Sequence, residues 1–190
     1  MYIQERRTVA EIGVGETPFP LAGKRPLASY ERYVGIDIDF QTARIAKRNL
    51  ARDHRFSSRQ IHIVCADANA LPFFDRSVKE IIFPNLLSHE RAKADIEQIV
   101  TEAGRVVSVD GTIAVLETIS PNETPLHKVR KLLADAGFKQ ASHVSNPFND
   151  IPQENTRSAY LVNFQRGRIS RWKRFVDNAW DVVDKVRRKT

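Results

Sequence analysis

Short apolar runs rich in β-branched residues alternate with stretches of helical periodicity, and this alternation constrains the fold more than any other feature. The runs predict five strands, at residues 8–14, 33–39, 61–67, 80–87 and 111–117. Strands separated by helices favour a parallel sheet covered on both faces. Two further candidate strands, 138–144 and 158–165, have no helix between them. We therefore expect them to pair antiparallel at one edge of the sheet.

Apolar residues recur at helical spacing in the segments between these strands. The predicted helices cover residues 41–54, 94–107, 125–138 and about 168–188. Asp39 is placed to cap the first of them, and Gly137 to end the third. The pair Asp110-Gly111 predicts a turn before the fifth strand, and Pro84 marks the end of the fourth.

The positive charge of the chain is concentrated at its C-terminus. Residues 166–190 contain nine Lys and Arg against three Asp, so they carry +6 of the net charge of +7. Ile169, Trp172 and Val176 lie on one helical stripe, with the basic residues largely off it, which predicts a basic C-terminal helix. Three interpretations of this helix remain open: a helix docked on the body of the protein, an RNA-binding surface, and a membrane-surface or dimerisation helix. The charge favours a polyanionic partner such as RNA.

Length and composition narrow the class of protein. A chain of 190 residues fits one domain. It has no apolar run long enough to span a bilayer and no secretory h-region, so we expect a cytoplasmic protein. The single cysteine, Cys65, excludes an intramolecular disulfide and a multi-cysteine zinc site, and we expect it to be a small buried side chain. The scattered histidines suggest no metal site.

The loop after the first strand reads Gly13-Val14-Gly15-Glu16-Thr17-Pro18. It lacks the third glycine of a dinucleotide-binding loop, and Pro18 supplies no N–H for a phosphate. Glu11 and Glu16 would repel a phosphate, so nicotinamide cofactors and ATP are disfavoured. A cationic cofactor without phosphate fits better. S-adenosylmethionine, with its sulfonium and ammonium groups, is such a molecule.

Four segments resemble, in order, the motifs of class I S-adenosylmethionine-dependent methyltransferases. They are VAEIGVGET, YVGIDID, VCADANALPFFDRSVKEIIFPNLLSH and AGRVVSVDGTIAVLE, within a resemblance that covers roughly residues 8–165. Thr17 stands where the family has its third glycine. The resemblance implies a Rossmann-like doubly wound sheet, mostly parallel with an antiparallel edge strand. Residues 1–165 would form the methyltransferase domain, followed by the basic helix at 166–190.

The resemblance also implies site residues. Glu11 would contact the amino-acid end of the cofactor, Asp37 the ribose and Asp67 the adenine amino group, although Asp67 is also placed to be a turn acid. The implied cofactor-binding set is Glu11, Gly13, Gly15, Asp37, Ile38, Asp67, Ala68 and Phe83. The implied substrate-binding set is Pro84, Asn85 and His89.

Methyl transfer depends mainly on alignment of the acceptor with the activated methyl group, so no catalytic acid or base is assigned. Few residues precede the first motif, and we expect an open site that suits a macromolecule. The favoured function is methyl transfer to nitrogen or oxygen of RNA, either ribosomal or transfer RNA. A methyltransferase of small molecules and a non-catalytic cofactor-binding or interaction module are the alternatives.

Overall fold

The computed structural model describes most of the predicted body of the protein. The described residues are 7–18, 31–54, 60–87, 95–119, 126–145 and 158–165. The predicted C-terminal helix, His89 and residues 19–30 of the connection from the first strand to the second lie outside them. None of the helices in the described ranges is long and apolar enough to cross a membrane.

Seven strands and three helices make up the described fold. The strands are β1 (Arg7–Ile12), β2 (Glu31–Asp37), β3 (Ile61–Cys65), β4 (Val78–Pro84), β5 (Val107–Ile119), β6 (Lys139–Ser145) and β7 (Ser158–Gln165). The helices are α1 (Phe40–Ala51), α2 (Ile96–Val106) and α3 (Leu126–Asp135). All seven predicted strands and the first three predicted helices are therefore present, with ends that differ by a few residues.

The strands form one sheet in the order β3-β2-β1-β4-β5-β7-β6. Neighbours from β3 to β5 pair in parallel, whereas β7 pairs antiparallel with both β5 and β6. The Rossmann-like, mostly parallel sheet and the antiparallel pairing of the last two strands are confirmed. Strand order reverses at β1, with β2 on one side and β4 on the other, and such a switch point is where open α/β sheets bind ligands.

The main hydrophobic core lies between one face of the sheet and helices α2 and α3. Ile81 of β4, Ile99 and Ala103 of α2, Val129 of α3 and Phe164 of β7 are among its fully buried members. On the other face, Ala46 and Leu50 of α1 pack with Tyr33 and Val14. The two layers fix the carboxyl ends of β1, β2, β3 and β4 along one edge.

Three of the four expected signals at element ends are confirmed, and one of them is Pro84, the last residue of β4. The Asp39 carboxylate accepts a hydrogen bond from the backbone N–H of Thr42 at 2.6 Å, which caps α1 and lowers the pKa of Asp39. Gly137 takes a φ of 82° just after α3, and the N–H of Phe138 donates to the carbonyl of Leu133. These contacts satisfy backbone groups that a helix end leaves unpaired.

Two expectations differ from the structure. Asp110 and Gly111 lie inside β5 rather than before it, at an irregularity where the five steps from Val107 to Thr112 oppose only the two from Val78 to Glu80. The chain folds back there, and a Cβ on Gly111 would lie 2.6 Å from Cγ2 of Val107. Asp110 pairs there with Lys79, which lowers the pKa of that carboxyl. Cys65 is exposed because β3 is an edge strand. Its Sγ lies 3.5 Å from the carbonyl oxygen of Ile38.

Candidate functional site

The loop after β1 turns sharply on two glycines. Gly13 and Gly15 have φ values of 78° and 59°, a region that residues with a Cβ rarely adopt. A Cβ on Gly13 would also lie 3.0 Å from Cδ1 of Leu86. The two glycines therefore let the loop double back closely over the ends of β2 and β4.

Three backbone N–H groups of this loop are already used inside the protein. Those of Gly13 and Val14 both donate to the carbonyl of Ile36, at 2.8 and 3.0 Å. That of Gly15 donates to Oδ2 of Asp37 at 3.0 Å. A phosphate-binding loop instead points such groups at its ligand. This loop therefore offers a phosphate neither those three N–H donors nor positive charge.

Asp37, at the end of β2, joins the two sides of this turn. Its Oδ2 accepts from Gly15, and its Oδ1 accepts from the N–H of Asp39 at 3.0 Å. An ionised carboxylate can accept about four hydrogen bonds, so both oxygens retain room for donors from a ligand. The side chain is only partly buried, and it lines a cavity at this edge of the sheet.

Glu11 has a partner within the protein. It is 1% exposed, and its Oε2 accepts a hydrogen bond from the hydroxyl of Tyr33 on the neighbouring strand. The parallel register places Glu11 opposite Gly35, so Tyr33 lies two residues away on the same face. Burial, and then the nearby Glu11 carboxylate, raise the pKa of Tyr33, which keeps the hydroxyl protonated as a donor.

The loop after β3 begins at the cavity with a tight turn. Oδ1 of Asp67 accepts from the N–H of Asn69 at 2.8 Å, so the expected turn role is confirmed. The side-chain amide of Asn69 lies 3.4 Å from Oδ2 of Asp95, just before α2. Asp67, Ala68 and Asn69 all line the cavity, as does Asp95.

Farther along, the same loop is clamped to α2 by Arg105. Its guanidinium donates to the carbonyls of Leu71 and Phe73, to Asp75 and to both oxygens of Glu102, at distances from 2.5 to 3.2 Å. All five N–H donors are thus engaged. Glu102 in turn accepts from the N–H of Leu71 at 2.8 Å. Hydrogen bonding to Arg105 lowers the pKa of Glu102, and the two acidic partners raise the pKa of Arg105.

The end of β4 forms the remaining wall. Pro84 closes the strand, and Asn85 follows with a left-handed φ of 54°. The N–H of Asn85 donates to the carbonyl of Leu116 on β5 at 2.6 Å, which fixes the turn. Pro84, Asn85 and Leu86 line the cavity.

The cavity has a volume of about 390 Å³, within the range of small-molecule sites. Four carboxylates line it, those of Asp37, Asp39, Asp67 and Asp95, and none of the described lining residues is Lys, Arg or His. The apolar part of the lining includes Ile12, Ile36, Ile38, Ala66 and Ile99. A negative, partly apolar pocket is chemically suited to a cationic ligand that has an apolar body and no phosphate.

The structure brings together most of the predicted site residues. Those on the lining are Gly13, Gly15, Asp37, Ile38, Asp67, Ala68, Pro84 and Asn85. Glu11 and Phe83 are 1% exposed and do not belong to that lining, and His89 lies outside the described residues. Asp39, Asn69 and Asp95 are lining residues that sequence reasoning did not assign to the site. The sequence around Asp95 predicts a helix but not a site residue, because the position of Asp95 at the cavity depends on how α2 packs.

A family model described as a methyltransferase domain matches residues 10–115, more than half of the chain. The chain belongs to the S-adenosylmethionine-dependent methyltransferases. It is an enzyme of this family, and S-adenosylmethionine is its methyl donor. The cavity, with four carboxylates and no basic side chain among its described lining residues, agrees with that donor. No curated protein matches the sequence significantly.

Solved structures similar to this methyltransferase share its fold at low sequence identity. An S-adenosylmethionine-dependent methyltransferase from Methanosarcina mazei has a TM-score of 0.67 and 15% identity, over 87% of this chain and 94% of that one. One from Aquifex aeolicus has a TM-score of 0.64 and 14% identity, over 86% and 85%. Geranyl diphosphate C-methyltransferase from Streptomyces coelicolor has a TM-score of 0.66 and 11% identity, over 85% and 71%. At these identities the likeness concerns the fold alone.

Proposed function

We propose that this methyltransferase binds its methyl donor in the cavity at the ends of β1 to β4 and methylates a nitrogen or oxygen of RNA. The observation that carries the donor assignment is the set of four carboxylates on a lining without described basic residues. When bound, the donor supplies a methyl group activated by attachment to a positively charged sulfur. The chain contributes binding, alignment and exclusion of water.

The cavity residues divide into groups with different tasks. Asp37 holds the ribose hydroxyls with the acceptor capacity that its two backbone partners leave. Asp67 and Ala68 contact the adenine, and Ile38 packs against the same base. Gly13 and Gly15 allow the close approach of the amino-acid end, whereas Glu11, held by Tyr33, supports their loop from inside the sheet.

The acceptor enters beside Pro84 and Asn85. Asn85 is fixed in an unusual backbone conformation by its bond to Leu116. Such an outlier at a ligand-facing position supports a role in positioning a substrate. His89, four residues farther along the chain, completes the proposed acceptor side.

Charge supports RNA as the acceptor. We propose that residues 1–165 form the catalytic domain and that residues 166–190 form a basic helix that contacts RNA, because this segment carries +6. The competing acceptor is a small molecule, since geranyl diphosphate C-methyltransferase has the same fold.

The test is transfer of a tritiated methyl group from S-adenosylmethionine to total cellular RNA, compared with transfer to a pool of small metabolites. We expect the tritium label to appear in RNA and to be released by ribonuclease treatment. Label confined to the metabolite pool would overturn the RNA assignment and leave the donor assignment intact.

Donor binding has its own test with a matched control. Asp37→Asn keeps the shape of the side chain but removes its charge, and loss of a charge-assisted hydrogen bond costs about 1.5 to 3 kcal/mol. We therefore expect binding of S-adenosylhomocysteine, measured by calorimetry, to weaken about 10- to 150-fold. Asp135→Asn, at the end of α3, makes the same change away from the cavity and should leave the affinity unchanged. Equal affinities of the two variants would contradict the donor site.

A further inference from the structure

We infer that the solvent-facing side of α1 is a binding surface for single-stranded RNA. The inference deepens the proposed function and rests on it, because it names where RNA that reaches the cavity contacts the body of the protein. It concerns described residues of the sheet domain, independently of the basic segment 166–190.

The first observation is a row of exposed basic side chains along α1, with acids only at its two ends, Asp39 and Asp53. Arg44, Lys47, Arg48 and Arg52 are all exposed, and residues 40–52 contain no acidic side chain. None of the four forms an ion pair with another residue in the described ranges. Arg44, Arg48 and Arg52 follow a spacing of four residues, so they form a stripe along one side of the helix. At a rise of about 1.5 Å per residue, that stripe is roughly 12 Å long.

The second observation is an aromatic side chain within the same stripe. Phe40 is 61% exposed at the first position of α1, although a phenyl ring is usually buried. It precedes Arg44 by four residues and Lys47 by seven, so the three share a side of the helix. An exposed ring interleaved with basic side chains is the pattern that holds single strands, because bases stack on the ring while cations contact the phosphates.

The third observation is the position of α1 relative to the cavity. The helix starts there, since Asp39 and Thr42 line the cavity and Ala46 and Leu50 anchor the opposite side of the helix in the body. The cavity itself is negative and repels phosphates. An RNA strand that places one nucleotide at the cavity can therefore reach a row of exposed cations on the outer side of α1.

The test measures fluorescence anisotropy of a labelled single-stranded RNA of about 16 nucleotides. The first variant is the double substitution Arg44→Glu and Arg48→Glu. Its matched control, Lys128→Glu with Lys131→Glu, makes the same charge change at exposed positions of α3. For single strands the slope of log K against log salt is about −0.7 per phosphate contact, so four contacts contribute about −2.8 and loss of two reduces the slope by about 1.4.

A second variant, Phe40→Ala, tests stacking without a change of charge. We expect it to weaken RNA binding at least about fivefold and to leave the salt slope unaltered. Calorimetry with S-adenosylhomocysteine on each variant reports whether the fold and the donor site persist. If the double glutamate variant loses that binding, Arg44→Gln with Arg48→Gln replaces it, with about the same change in slope because it removes the same two contacts.

Weaker RNA binding in the α1 variants, with a normal α3 control, supports the inference. Equal losses in both double variants, or no loss in either, overturn it. Failure of the inference is distinguishable from failure of the proposed function: in the first case the wild type still methylates RNA and the α1 variants do so equally well. If the wild-type protein neither binds nor methylates RNA while it binds S-adenosylhomocysteine, the RNA assignment and the inference fall together.

Discussion

Arg105→Ala tests whether the clamp between α2 and the loop after β3 holds the donor site in shape. Two of the lost hydrogen bonds go to the carbonyls of Leu71 and Phe73, and we assign about 1 kcal/mol to each because the donor is charged but partly exposed. The pair with exposed Asp75 adds roughly 0.5 kcal/mol or less. Glu102 is only 12% exposed, and loss of its partner costs about 1 kcal/mol.

The clamp is thus worth about 3 kcal/mol of folding free energy, which corresponds to a fall in melting temperature of about 6 to 12 °C for a domain of this size. The same bonds hold the loop that continues from Asp67, Ala68 and Asn69. If about 1 kcal/mol of this energy serves to keep the loop ordered in the folded protein, its loss raises the dissociation constant of S-adenosylhomocysteine about fivefold.

Differential scanning fluorimetry gives the melting temperature, and calorimetry gives the affinity. We expect 5′-methylthioadenosine, which lacks the amino-acid end of the donor, to lose affinity by the same factor, because the clamped loop borders the proposed adenine site. Arg105→Lys should recover only part of both losses, since an ammonium cannot reproduce the planar five-donor geometry. Lys131→Ala, on the exposed side of α3, is the control.

A melting temperature within about 2 °C of the wild type would contradict a contribution of about 3 kcal/mol from the clamp to the folding free energy. A normal affinity combined with a lower melting temperature would show that Arg105 stabilises the fold without shaping the donor site.

Three further outcomes are expected. Tyr33→Phe leaves the buried Glu11 carboxylate short of one donor and should lower the free energy of unfolding in urea by about 2 kcal/mol; no change would mean that water or another group satisfies Glu11. Because the pKa of Glu102 is lowered on folding, its contribution to stability is complete above its ordinary pKa of 4.5 and is lost as the pH falls through the folded value. Urea unfolding of Glu102→Gln at a series of pH values should therefore show a weaker dependence on acid than the wild type. Gly13→Ala should weaken binding of S-adenosylhomocysteine, since an alanine is strained at this φ and its Cβ would crowd Leu86. An unchanged affinity by calorimetry would contradict the tight turn.

The sheet was predictable because each of its signals is local. Five apolar runs, with the predicted helices 41–54 and 94–107 between two of the successive pairs, favour parallel strands. The resemblance could place Asp37 and Asp67 at the site for a similar reason, since Asp37 is the last residue of β2 and Asp67 comes two residues after β3. The turn expected at Asp110-Gly111 lies within the bounds of β5, at the irregularity in its pairing with β4, so the start of the strand was misplaced.

The partner of Glu11 could not be read from the sequence. The sequence pattern indicates that an acid inside an apolar strand needs a hydrogen-bonding partner. Which residue is that partner depends on the register of β1 against β2. A shift of one residue would turn Tyr33 to the opposite face. The same limit applies to Asp95, whose place at the cavity depends on the packing of α2 against the sheet.

The charge of the cavity follows from sheet order rather than from the loop whose sequence suggested it. Glu11 and Glu16 indicated the correct sign, yet the described lining takes its acids from the ends of β2 and β3, and from the start of α2. β2 also consumes the N–H groups of the glycine loop, through Ile36 and Asp37. These three N–H groups would therefore not be free for a phosphate while β2 stayed in place. We propose that selection of a cationic donor depends most on Asp37, which both holds the loop through Gly15 and lines the cavity.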